Sequence, residues 1–122
     1  GYRQAVLLIS SEDLDALREQ GFSVFHGALG ENLTTRGLDF RQLRVRQRFR
    51  VGDAILELTK LRQPCYQLNP YGKGIQQAIY DEGCKAGNPA SAHWGKAGFY
   101  ASVVRQGIVR PNDIIELLDQ AV

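Results

Sequence analysis

Arg44-Val45-Arg46-Gln47-Arg48-Phe49-Arg50-Val51-Gly52-Asp53-Ala54-Ile55-Leu56-Glu57-Leu58-Thr59-Lys60-Leu61-Arg62 is the stretch that decides the fold class. Over Arg44–Val51, four arginines fall on every second position, and Val45, Phe49 and Val51 fall between them. Successive side chains of a strand point to opposite faces, so the alternation predicts a strand with one charged and one apolar face. Gly52-Asp53 is a turn dipeptide suited to a short hairpin. Ala54–Arg62 alternates again, with Ile55 and Glu57 out of phase with Leu56 and Leu58.

Outward from this hairpin, the rest of the chain reads as short strands with few helices. Arg3–Ile9 predicts a buried strand around the apolar run Ala5-Val6-Leu7-Leu8-Ile9. A helix is expected over Ser11–Gln20. Ser10 or Ser11 caps it, and Glu12, Asp13 and Asp15 sit where the helix dipole favours acid. Leu14 and Leu17 face inward, and Gly21 ends it. Glu31–Thr35 is a short extended piece between Gly30 and Gly37. Gly74–Gly83 predicts a second helix, with Ile75, Ala78 and Ile79 on one stripe. Gly87–Gly95 is a loop carrying Trp94, Phe99–Arg105 a strand, Val109–Asp113 a turn and Ile114–Leu118 a last strand. The fold class expected is mainly β, a barrel or sandwich with a few peripheral α-helices. Strict strand–helix alternation is absent, which argues against a doubly wound sheet.

Composition sets the class. The 122 residues are 43% apolar and 23% charged, the profile of one ordinary globular domain. No apolar run approaches the ~20 residues of a spanning helix, so no membrane association is expected. Fifteen basic against thirteen acidic residues leave a net charge of +2, low for a domain built to neutralise nucleic-acid phosphates. Two cysteines make no disulfide framework and suit a reduced, cytoplasmic protein.

Several residues are candidates for chemistry. Cys65, in Arg62-Gln63-Pro64-Cys65-Tyr66, sits just past a predicted strand beside Lys60 and Arg62. Nearby positive charge favours thiolate, which is a nucleophile and a soft metal ligand; the plain alternative is a buried cysteine acting as a small hydrophobe. Cys84, at the end of the second predicted helix, reads as a helix-end filler, and no Cys or His spacing suggests a zinc site. His26 and His93 stand alone. Arg44, Arg46, Arg48 and Arg50 read as a solvated, charge-protected strand face, since no aromatic platform interleaves with them for nucleic acid. No phosphate-binding glycine loop is present. Gly30-Glu31-Asn32-Leu33-Thr34-Thr35-Arg36-Gly37 packs a carboxylate, an amide and two hydroxyls into a short extended segment, which suits either a polar ligand or a strand that caps a turn.

Arg3-Gln4-Ala5-Val6, the Gly30–Leu38 block, Gly52-Asp53-Ala54, Arg62-Gln63-Pro64-Cys65, Gly98-Phe99-Tyr100-Ala101 and Val109-Arg110-Pro111-Asn112-Asp113 occur in the order found in MOSC domains, named for the C-terminal domain of molybdenum cofactor sulfurase. The resemblance runs from Arg3 to Leu118. Cys-Tyr-Gln-Leu, then a helix, then Gly-Phe-Tyr most resembles the bacterial stand-alone branch, which includes reductases of N-hydroxylated purines. It implies a β-barrel and a pyranopterin molybdenum cofactor, with Cys65 in the position of the molybdenum ligand. Arg3, Asn32, Thr34 and Arg62 are the residues expected to contact the cofactor. The reaction implied is two-electron removal of oxygen from an N–OH group of a small molecule, with electrons from a donor protein; whether pyridoxal phosphate binds is left open.

Stand-alone members of this family carry a glycine-rich, basic stretch ahead of the Arg-Gln-Ala-Val strand. The expectation for residues 1–122 is therefore a single MOSC-like domain without that stretch, with an open sheet edge for a partner subunit to cover, hence a homo-oligomer. Two other functions stay open: a sulfur carrier holding a Cys65 persulfide for cofactor or cluster assembly, and a non-catalytic binding domain.

Overall fold

The structure is a computed structural model that describes residues 5–118. Six strands form one sheet: β1 (Ala5–Ser10), β2 (Leu33–Thr35), β3 (Arg48–Val51), β4 (Ala54–Leu61), β5 (Phe99–Arg105) and β6 (Ile115–Leu117). Their spatial order is β2-β1-β5-β4-β3-β6. β1 and β2 run parallel, and the other neighbours are antiparallel. The two edge strands, β2 and β6, line the same cleft, so the sheet curls until its edges face each other: a half-barrel. The mainly β class expected from the sequence is what the chain adopts.

Both faces of the sheet are buried around β1. Leu8 joins Phe49, Leu56, Leu58, Phe99 and Ala101 on the concave face, which Phe40, Leu43 and Trp94 close. Leu7 and Ile9 point the other way, into a second cluster. Leu14 and Leu17 of helix α1 (Ser11–Glu19) and Ile75 and Ile79 of helix α2 (Ile75–Ile79) complete that cluster. The helices thus lie outside the half-barrel, as their amphipathic spacing requires. Ser10 caps α1, its hydroxyl accepting the Asp13 N–H at 3.2 Å. Gly98 leads into β5 with φ +96°, and a Cβ there would lie 2.4 Å from the Leu8 carbonyl oxygen. Only glycine permits β5 to enter so close to β1.

Two expectations differ from the structure. The strand expected over Arg44–Val51 begins only at Arg48. Arg46 adopts φ +80°, and both it and Gln47 oppose Leu58: Arg46 N–H bonds Leu58 O at 2.8 Å and Leu58 N–H bonds Gln47 O at 2.9 Å. This is a β-bulge, which ends the alternation before its first two arginines. The helix expected over Gly74–Gly83 is two, α2 and α3 (Glu82–Lys85). Tyr80 between them is extended, and the Asp81 carboxylate caps α3 through the Cys84 N–H at 2.8 Å. A 3-10 turn over Tyr66–Tyr71 and another over Phe40–Gln42 carried no sequence signal recognised above. Among the described residues no helix is long and apolar enough to cross a membrane.

Candidate functional site

β4 ends at Leu61, and the next four residues set the thiol. Arg62 and Pro64 turn inward and are buried; Gln63 and Cys65 turn outward. Cys65 then caps the 3-10 turn Tyr66–Tyr71, with its carbonyl accepting the Leu68 N–H at 3.2 Å. Its thiol is exposed and makes a long contact, 3.9 Å, to the Gln67 carboxamide oxygen. The thiol is therefore reachable from solvent on a backbone fixed by a buried proline.

Arg62 lies behind it. Its guanidinium donates to Leu29 O at 3.0 Å and Ala97 O at 3.2 Å, and its N–H donates to Gly98 O at 2.9 Å. Burial pushes the Arg62 pKa down, while Tyr100, Cys65 and Glu31 pull it back up. Two of the five guanidinium N–H groups are thus spent on protein carbonyls.

The Gly30–Gly37 block is largely bonded to itself and to β1. Asn32 accepts the Leu7 N–H on its side-chain oxygen at 2.8 Å and returns its own N–H to Leu7 O at 2.9 Å, adding a rung before β2. Thr34 donates its hydroxyl to Glu31 at 3.1 Å. Glu31 also accepts the N–H groups of Gly27 and Leu29 at 2.9 and 3.2 Å, so one carboxylate organises the whole turn. Thr35 is buried, and its hydroxyl has no hydrogen-bond partner among the described residues. This carboxylate and these hydroxyls are legible in the sequence as a group; the Glu31 hub and the orphaned Thr35 hydroxyl depend on where the turn folds.

Asn32, Thr34 and Thr35 line a cleft of about 750 Å³ that runs between β2 and the Val109–Ile115 segment, with Arg36 and Arg110 on its rim. A second cleft of about 940 Å³ shares Asn32, Leu33 and Val109 and is otherwise lined mainly by Val6, Leu56, Val103 and Val104. Cys65 and Arg62 line neither. The expected site residues thus fall into two groups: Cys65 with Arg62 at the β4 exit, and Asn32 with Thr34 in the cleft wall. The bond from Arg62 to Leu29 O joins them. Arg3 lies outside the described residues.

The remaining candidates take structural positions. Cys84 is buried against Ser91 at 3.5 Å, and burial pushes its thiol pKa up. His26 bonds Ser11 at 3.2 Å, and His93 lies 3.5 Å from Asp81. No group of three His, Cys, Asp or Glu side chains suited to a metal ion occurs among the described residues. Arg44 lies over the Trp94 ring, Arg48 pairs with Glu57 at 3.0 Å and Arg50 with Glu116 at 3.1 Å.

A family model described as the MOSC domain matches residues 1–116. Two curated relatives are each 30% identical over 95 residues: "Uncharacterized protein YflK" of Bacillus subtilis (strain 168) and "Protein YiiM" of Escherichia coli (strain K12). The matches take in 78% and 76% of this chain but 38% and 37% of those proteins, so the chain spans well under half the length of these relatives. Crystal structures of YiiM from Geobacillus stearothermophilus and Escherichia coli superpose with TM-scores of 0.73 and 0.69 at 24% identity. They overlay 97% and 95% of this chain on 61% and 55% of theirs, a likeness of fold.

Proposed function

The chain belongs to the MOSC domain family, and from that premise we propose that it holds a pyranopterin molybdenum cofactor through Cys65 and reduces N-hydroxylated small molecules. The observation that carries the reading is the Cys65 thiol, exposed just past the end of β4; the MOSC resemblance implies that this cysteine is the molybdenum ligand. A soft thiolate is the donor such a metal takes from a protein, so the residue present fits the group. Bound there, the cofactor supplies the two-electron chemistry: R–NHOH, two electrons from a donor protein and two protons give R–NH2 and water.

The chain's own residues then have limited tasks. Cys65 retains the metal. Pro64 fixes the direction of the thiol. Asn32 lines the cleft, and with its side-chain oxygen accepting from Leu7, its amide NH2 is the donor left for an acceptor atom of a polar ligand. Thr34, with its proton given to Glu31, offers only an accepting oxygen. The free thiols of Cys65 and Cys84 suit a reducing compartment.

The test is molybdenum and pterin content together with reduction of a hydroxylaminopurine, for the unaltered protein, Cys65→Ser and Cys84→Ser. Cys65→Ser keeps the size and removes the soft donor, so metal retention and activity should each fall at least about 100-fold. Cys84→Ser should keep both. Full molybdenum content in Cys65→Ser overturns the reading. Sulfane sulfur on Cys65 without molybdenum replaces it with the sulfur-carrier function.

A further inference from the structure

Among the described residues Arg62 is the single buried charged residue, 7% exposed. Taking a guanidinium out of water is costly unless its donors are satisfied, so a buried arginine marks a place where a cation is needed. Two of its nitrogens donate to carbonyls of Leu29 and Ala97, which lie 33 and 35 residues away in sequence. The same residue's N–H takes Gly98 O. The two turns so gripped are Gly27–Gly30, which Glu31 organises from its other side, and Gly95–Gly98, which feeds β5.

We propose that Arg62 is a positioning residue for Cys65: its guanidinium clamps these two turns onto the end of β4 and so fixes the strand exit that delivers the thiol. The inference rests on reading Cys65 as the functional thiol. Two residues separate Arg62 from Cys65, and one of them is the buried Pro64, so a displacement of Arg62 passes along a stiff, short backbone. The planar fork of arginine spans two carbonyls at fixed separation, which an ammonium does not match. The assignment differs from a cofactor contact, because both guanidinium bonds go to backbone carbonyls of the two turns.

The test compares Arg62→Met, which keeps bulk and removes every donor, with Arg62→Lys, which keeps the charge. Gln63→Met, at an exposed neighbouring position, is the control. Hydrogen exchange in cofactor-free protein, maleimide labelling of Cys65 and Cys84, and bound molybdenum are measured below the melting temperature. For Arg62→Met, exchange in the two turns should rise about tenfold while buried Cys84 stays as unreactive as before. Bound molybdenum should fall about tenfold or more, with Arg62→Lys intermediate in both readouts. Unchanged exchange in the turns overturns the proposal. So does exposure of Cys84 in step with the turns, which is global loosening rather than positioning. Full molybdenum in Arg62→Lys despite turns as loose as in Arg62→Met also overturns it, since charge alone would then suffice. Should Arg62→Met fail to fold, Arg62→Lys against Gln63→Met carries the same exchange and labelling comparison. If the unaltered protein binds no molybdenum, the proposed function falls, and exchange with labelling decides this inference alone.

Discussion

At the scale of single residues, opposed carboxylates set how the fold responds to acid. Asp81 is held below the usual carboxylate value, first by the Cys84 N–H at the α3 cap and then by the Ser91 hydroxyl. Asp15, through Arg36 and Arg18, is also lowered. A lowered folded-state pKa means that the folded protein takes up the proton less readily than the unfolded chain. That contribution to stability is complete above the unfolded value and is lost as pH falls through the folded one. Asp13 runs opposite: burial raises its pKa in spite of Arg41, so its contribution is present in acid and lost as pH rises through the raised value. Asp81→Asn keeps a capping oxygen but cannot ionise. It should melt below the unaltered protein at pH 7, with the gap closing below about pH 4 as Asp81 protonates. Melting curves from pH 7 to pH 2 check this, and a gap that stays constant would contradict it. How much of the site was legible follows the same scale. Cys65 at a strand exit could be read from Pro64 and the end of alternation. The burial of Arg62 could not, because its acceptors come from distant turns and arginine is ordinarily a surface residue.

Elements were legible where turn chemistry and alternation agree, and illegible where one residue's backbone conformation overrules the pattern. Gly52-Asp53 joins β3 to β4 as the dipeptide suggests, and Ser10 starts α1. Arg44–Gln47 carries a strand's alternation without being a strand, because Arg46 enters the left-handed region and inserts the bulge against Leu58. Helix periodicity over Gly74–Gly83 is likewise interrupted by Asp81, whose side chain offers the backbone a new cap. The bulge makes a prediction. Valine, branched at Cβ, tolerates positive φ poorly but suits a strand. Arg46→Val should therefore cost about 1 kcal/mol or more. Arg48→Val, two residues on, loses only the exposed pair with Glu57 and should stay within about 0.5 kcal/mol. Urea unfolding of both variants checks the contrast. Equal costs would mean that the bulge does not hold at Arg46 in solution.

For the whole molecule, the decisive feature is where the half-barrel fails to cover itself. Of the eight large apolar side chains exposed among the described residues, five lie within 104–117: Val104, Ile108, Val109, Ile114 and Leu117. Val104, Val109 and Ile114 line the two clefts, and Ile108 and Leu117 lie on the same stretch of chain, so the exposed apolar side chains concentrate on β6 and the chain that leads to it. Apolar side chains concentrated beside an unpaired strand edge attract apolar dyes and other chains. Ile114 is 79% exposed and Leu117 53%, so neither holds the core together. Lysine at both positions should cost no more than about 0.5 kcal/mol each. It should also lower the fluorescence of a bound anilinonaphthalene dye by about half and delay aggregation on heating. Val45→Lys is the control, since Val45 is apolar and exposed but lies outside residues 104–117 and lines neither cleft. Dye fluorescence that falls as far in Val45→Lys as in the Ile114→Lys, Leu117→Lys pair would mean that the dye reports general surface charge. A fall confined to the pair would place the sticky surface at the open side of the half-barrel, where the curled sheet leaves β2 and β6 facing each other across the cleft.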